Sequence, residues 1–302
     1  MDKKCAPGKN FKDGSCFTLE NLIEISENFN KTFPNNSFPI RRDDKKYLLR
    51  NLTSRMKEKY NCDNQVCWIN TSFVKNIKNS DITHFTFRPN GPKGKYDWLS
   101  TSDIDKVMKQ YESKYKDFKF LGAVPYDFED LSYLETYNFN IENAKVNGKN
   151  KIGMVINLDT HDKDGSHWVA FYSNLKTKKV YFFDSFAKQP GSRIKKFAEK
   201  FFKDFSGGGN TKNNSNNIVY NQIRHQFNNS ECGVYSMNFI IRLLHGETFN
   251  DITENITKDT EMNACRKSYF RFVSSLTFAF LILEVSNLII CFIISALLSI
   301  NS

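Results

Sequence analysis

Four residues in the order His167, Asp184, Gln226, Cys232 constrain this chain most. His167 stands at the head of an alternating apolar run that begins at Trp168, and Asp184 closes the next apolar run, Val180-Tyr181-Phe182-Phe183. Gln226 lies just before Cys232-Gly233, which opens a segment of helical character. A cysteine nucleophile needs a base to take its proton, a carboxylate to hold that base in one tautomer, and a donor for the oxyanion. The pattern therefore predicts a thiol hydrolase. Cys232 is the nucleophile, His167 the base and Asp184 its orienter. Gln226 and the Cys232 N–H are the oxyanion donors. A helix start at Cys232 favours the thiolate through unpaired N–H groups, and Gly233 lets a substrate backbone approach closely. A single cysteine is more often an inert buried thiol; its three companions decide the reading here. His161, His225 and His245 lack such company and read as structural or surface residues, and His84 is unassigned.

Gly165-Ser166-His167-Trp168, Phe183-Asp184-Ser185, and Gln226 through Glu231-Cys232-Gly233-Val234-Tyr235 resemble the adenain and ubiquitin-like-protease superfamily of cysteine proteases. That group includes the SUMO-removing proteases and the maturation proteases of adenoviruses and African swine fever virus. The resemblance runs from about residue 96 to 246, and the flanks are more similar to the viral or giant-virus branch. It implies a papain-like-related core and an endopeptidase that cuts Gly-containing sites in viral structural precursors, in the virion or host cytoplasm. In similar proteases the Trp after the catalytic His and the Trp of a Trp-Leu motif wall a narrow tunnel. Carried over, Trp168 and Trp98 are substrate-binding and select glycine before the cut; otherwise both are core aromatics. A SUMO- or ubiquitin-like-protein isopeptidase would use the same chemistry. An acetyltransferase of the related effector type commonly has Glu as third member, so Asp184 and Gln226 argue against it. A membrane-tethered binding module would not need all four residues.

Periodicity gives the organisation. Residues 1–80 are polar, with amphipathic helical patterns at 17–29 and 47–60, and form an N-terminal helical accessory region. Residues 81–271 form the catalytic domain. Ser102 and Asp105 suggest a capping box before Ile104, Val107, Met108, Tyr111 and Tyr115 at helical spacing. Residues 152–158, 168–172 and 180–183 read as strands, with a hairpin turn at 175–179. A helix follows at 194–205, a Gly- and Asn-rich flexible loop at 206–217, a short strand at 218–220 and a buried helix at 232–244. The class is α+β, a central mixed sheet packed against helices.

Residues 272–300 are almost wholly apolar, long enough for one bilayer crossing, with Arg266, Lys267 and Arg271 just before them. The segment reads as a membrane anchor that leaves the catalytic domain cytosolic. A buried helical hairpin or an unstructured terminus would also place it. Glu284 near its middle costs about 2.5–3.5 kcal/mol in such a span. A net charge of +10 suits nucleic acid, an anionic membrane face or an acidic protein substrate, as well as a plain Lys-rich surface. Seven scattered cysteines and a polar N-terminus with no apolar leader predict a reduced cytosolic chain. Spacings among Cys5, Cys16, Cys62 and Cys67 fit no zinc knuckle, so neither metal nor cofactor is expected.

Overall fold

A computed structural model describes residues 4–94, 96–207 and 218–271. The chain divides into two compact units, one through Pro89 and one from Asn90.

The first unit is helical: α1 (Leu19–Thr32), α2 (Lys45–Tyr60), and the single turns α3 (Gln65–Trp68), α4 (Ser72–Lys75) and α5 (Ser80–Thr83). Thr18 and Asn21 form a reciprocal capping box at the start of α1, which buries Leu22, Ile25 and Phe29. Asn61 in the left-handed region ends α2, where a short polar side chain tolerates positive φ. Residues 84–89 belong with this unit. The Ala6 N–H donates to the Thr86 carbonyl at 3.0 Å, and the Phe87 ring meets Phe17 edge-on at 5.2 Å. The expectation of a wholly reduced chain is corrected here: Cys5 pairs with Cys16, and Cys62 with Cys67. A unit this small gains stability from cross-links that restrict its unfolded state.

The second unit contains α6 (Thr101–Lys114), β1 (Phe118–Val124), α7 (Ile141–Val146), β2 (Lys151–Asn157), β3 (Trp168–Asn174), β4 (Lys179–Phe183), α8 (Ser192–Phe205), β5 (Val219–Tyr220), α9 (Cys232–Leu244), α10 (Phe249–Glu254) and α11 (Asp259–Tyr269). The strands form one mixed sheet in the order β1-β2-β3-β4-β5. β2, β3 and β4 are antiparallel to one another, whereas β1 and β5 run parallel to their neighbours. Along β3, Trp168, Ala170 and Tyr172 join the core built with α6 and α9, while Val169 and Phe171 join the core built with α8. Burial on both faces explains why β3 is apolar at nearly every position.

One local expectation shifts. The capping box of α6 is Ser100 with Asp103, not Ser102 with Asp105. Asp105 faces the sheet and accepts the Ala123 N–H at 2.8 Å, where β1 breaks register between Phe120 and Ala123. That irregularity, with burial on both faces, removes strict alternation, and β1 has no simple periodic signature in the sequence. Residues 208–217 of the Gly- and Asn-rich stretch and the apolar run 272–300 lie outside the described residues. Among the described residues no helix is long and apolar enough to cross a membrane.

Candidate active site

Antiparallel pairing of β3 and β4 puts the start of one strand beside the end of the other, with Ala170 opposite Phe183. His167, just before β3, and Asp184, just after β4, therefore meet. His167 Nε2 lies 2.7 Å from Asp184 Oδ1, and both side chains are buried. The sequence puts Cys232 at the first residue of α9, which packs on β3, and His167 makes a hydrogen bond with its side chain. Since Asp184 takes Nε2, Nδ1 is the ring nitrogen left to serve the sulfur. Burial of the imidazole disfavours its charge, but hydrogen bonds and charge from Asp184 and Cys232 outweigh this and raise its pKa to about 9.

The His167 ring also stacks on Phe186 at 4.5 Å, nearly parallel, and the Arg224 guanidinium lies 4.9 Å from the Phe186 centroid. Asp184 is held through its backbone by Asn221, which accepts the Asp184 N–H at 3.0 Å and donates to its carbonyl at 2.8 Å. Asn221 lies just past β5 and bonds a polypeptide edge as a strand would.

Gln226 is buried and tied to the segment after Asp184. Its backbone N–H donates to the Ser185 carbonyl at 3.0 Å, and its Oε1 accepts the Ser185 hydroxyl at 2.7 Å. Nε2 donates to the Asn228 carbonyl at 2.6 Å, so one carboxamide N–H remains for another acceptor.

Trp168 is buried and its Nε1 donates to the Leu99 carbonyl at 3.0 Å. Trp98 is half exposed, and the two indoles line one cleft of about 540 Å³ with Pro125, Tyr133, His161 and Gly165. Gly233 sits against this wall. A Cβ there would lie 3.2 Å from Leu99 Cβ and 3.3 Å from Trp168 Cδ1. A buried cysteine and histidine joined to a carboxylate, beside an aromatic cleft, have the makings of covalent acyl transfer.

Residues 133–275 match the Ulp1 protease family, C-terminal catalytic domain. A thiol protease of Acanthamoeba polyphaga mimivirus is 35% identical over 286 residues, spanning 88% of this chain and 93% of that protein. The chain belongs to the Ulp1 protease family. It is a cysteine protease. The SUMO-1 cysteine protease of African swine fever virus is 26% identical over 249 residues, covering 75% of this chain and 90% of that one. A crystal structure of the African swine fever virus protease shares the fold, with a TM-score of 0.59 and 22% identity over 78% of this chain and 94% of that one.

His161 of this protease has a partner that the sequence does not announce. The structure supplies Asp127, whose carboxylate accepts the His161 Nδ1–H at 2.6 Å and its backbone N–H at 3.0 Å. The hydrogen bond to Asp127 is the main cause of a raised His161 pKa. His225 matches the structural reading: it is buried, and its ring bonds the Thr253 carbonyl and the Thr257 N–H. Glu231 and Arg266, adjacent to the site and paired at 3.0 Å, had no signal in the sequence, because their meeting depends on α11 folding back to the start of α9.

Proposed function

We propose that this protease is a thiol endopeptidase that works through Cys232, His167 and Asp184, with Gln226 as an oxyanion donor. The observation that carries the reading is the bridging imidazole, bonded to a buried carboxylate on one side and to the cysteine on the other. Cys232 passes its proton to His167 Nδ1, and the sulfur attacks the scissile carbonyl carbon. The carbonyl oxygen, now an anion, accepts the Cys232 N–H and the remaining N–H of Gln226 Nε2. Collapse breaks the C–N bond as the imidazolium protonates the leaving amine, which leaves a thioester. Water then attacks the thioester with His167 as base, the acid departs, and the thiol is restored.

The substrates in this reading are viral precursor proteins cut at Gly-containing sites. Support comes from the viral relatives and from the two indoles on one cleft, where a side chain before the cut would compete for space with Trp98 and Trp168. The relative named a SUMO-1 cysteine protease supports a second reading, an isopeptidase for ubiquitin-like proteins, with the same residues and the same need for glycine. Mass spectrometry of new N-termini in infected-cell and virion proteomes, with intact protein and with Cys232→Ala, tests both. Cysteine-dependent termini after Gly in virion proteins support the first reading, and release of a ubiquitin-like protein from lysine supports the second. Cleavage that survives Cys232→Ala ends both.

A further inference from the structure

The buried ion pair of Glu231 and Arg266 takes no part in the chemistry described, yet it adjoins the nucleophile. Both side chains are almost completely buried. Burying a guanidinium and a carboxylate carries a desolvation cost that a pair of apolar side chains would avoid. The geometry points to a role for Arg266 as a positioning residue that sets the oxyanion donors and the Trp98 wall in register. This inference rests on the catalytic reading above.

Three acceptors converge on the guanidinium. Nε donates to Glu231 Oε2 at 3.0 Å, one terminal nitrogen to the Asp97 carbonyl at 2.6 Å, and the other to the Ser230 carbonyl at 3.2 Å. Asp97 immediately precedes Trp98, and Ser230 and Glu231 immediately precede Cys232. The Cys232 N–H, one of the two oxyanion donors, belongs to the peptide that follows Glu231. Asn263, one turn earlier on α11, donates to the other Glu231 oxygen at 2.9 Å. The first residue of the same helix holds the far end of this loop: the Asp259 carboxylate accepts the Phe227 and Asn228 N–H groups at 2.9 and 3.0 Å. The loop from Gln226 to Cys232, which carries both proposed donors, is thus clamped at each end by α11. A planar fork with fixed N–H directions can serve three such acceptors, whereas an ammonium cannot hold them in one plane.

The test uses the full chain, a Gly-Gly-aminocoumarin peptide, its Ala-Ala counterpart, and iodoacetamide labelling of Cys232 read by mass spectrometry. In R266K, kcat on the Gly-Gly peptide should fall about 100-fold with KM nearly unchanged, because displaced donors act on the transition state. The preference for Gly-Gly over Ala-Ala should shrink as Trp98 loosens. Labelling of Cys232 by iodoacetamide, which needs only the thiol and His167, should persist. E231M/R266M removes the pair without leaving a lone charge, at the cost of the bonds to the Asp97 and Ser230 carbonyls and to Asn263, and should stay folded with a lowered melting temperature yet remain as slow as R266K. Full turnover in either variant overturns the inference. Activity lost only in proportion to folded protein in both variants would assign the pair to stability and overturn it equally. If the parent hydrolyses the peptide no faster than Cys232→Ala, the catalytic reading itself fails, a result distinct from these.

Discussion

Asp184 Oδ1 lies 2.7 Å from His167 Nε2 and also accepts the Phe186 N–H at 2.8 Å. One oxygen therefore fixes both the imidazole tautomer and the backbone that carries the ring stacked on it. Asp184→Asn presents an amide in place of the carboxylate and removes the charge that supports the imidazolium. Its kcat should fall by roughly 10²–10⁴-fold with the fold retained, measured by peptide turnover beside circular dichroism. A loss smaller than tenfold would mean that Asp184 only supports the backbone.

The raised pKa of His167, about 9, sets a pH window. The folded state holds this proton more tightly than the unfolded chain, where histidine titrates near ~6.5. The stability it contributes is complete below that value and is lost as pH rises through about 9. The melting-temperature advantage of the parent over His167→Gln should shrink across this interval. Turnover should also fall above it, because the neutral ring cannot protonate the leaving amine. A basic limb that Asp184→Asn leaves in place would assign that limb to another group.

Gln226→Ala removes the proposed N–H donor to the oxyanion. The expected cost is about 100- to 1000-fold in kcat with little change in KM. Because Ser185 Oγ donates to Gln226 Oε1, part of the stability loss should be shared with Ser185→Ala, whereas the loss of turnover should not. An effect confined to KM would make Gln226 a substrate-binding residue.

Trp98 and Gly233 separate wall from scaffold. Trp98 is half exposed, so Trp98→Ala should change stability by only about 0.5 kcal/mol while relaxing the glycine preference in a peptide library. Gly233→Ala adds a methyl against Leu99 and Trp168 and should cost about 1–3 kcal/mol through overpacking, with a lower kcat/KM. Unchanged selectivity in both variants would refute the indole wall.

The disulfides act on the first unit. Replacing Cys5 and Cys16 by Ser should lower its stability by about 2–3 kcal/mol, the order expected for a short closed loop. Peptide mapping with alkylation before reduction should leave Cys5, Cys16, Cys62 and Cys67 unlabelled and Cys232 labelled. Labelling of all five would restore the expectation of a reduced chain.

The order of chemistry-bearing residues and the apolar runs around them were legible in the sequence, because strand alternation and the helical repeat are properties of near neighbours. His167 before β3, Asp184 after β4 and Cys232 at the start of α9 follow from those runs. Bonds between distant segments carry no such local mark. Asn221 on the Asp184 backbone, Asp127 on His161, and Arg266 across Asp97, Ser230 and Glu231 arise only when strand order and helix packing bring those segments together. Local pattern sufficed for the elements and their chemical groups. Tertiary structure alone decided the partners that hold those groups, because a polar side chain in a buried site bonds whatever acceptor or donor the topology delivers to it.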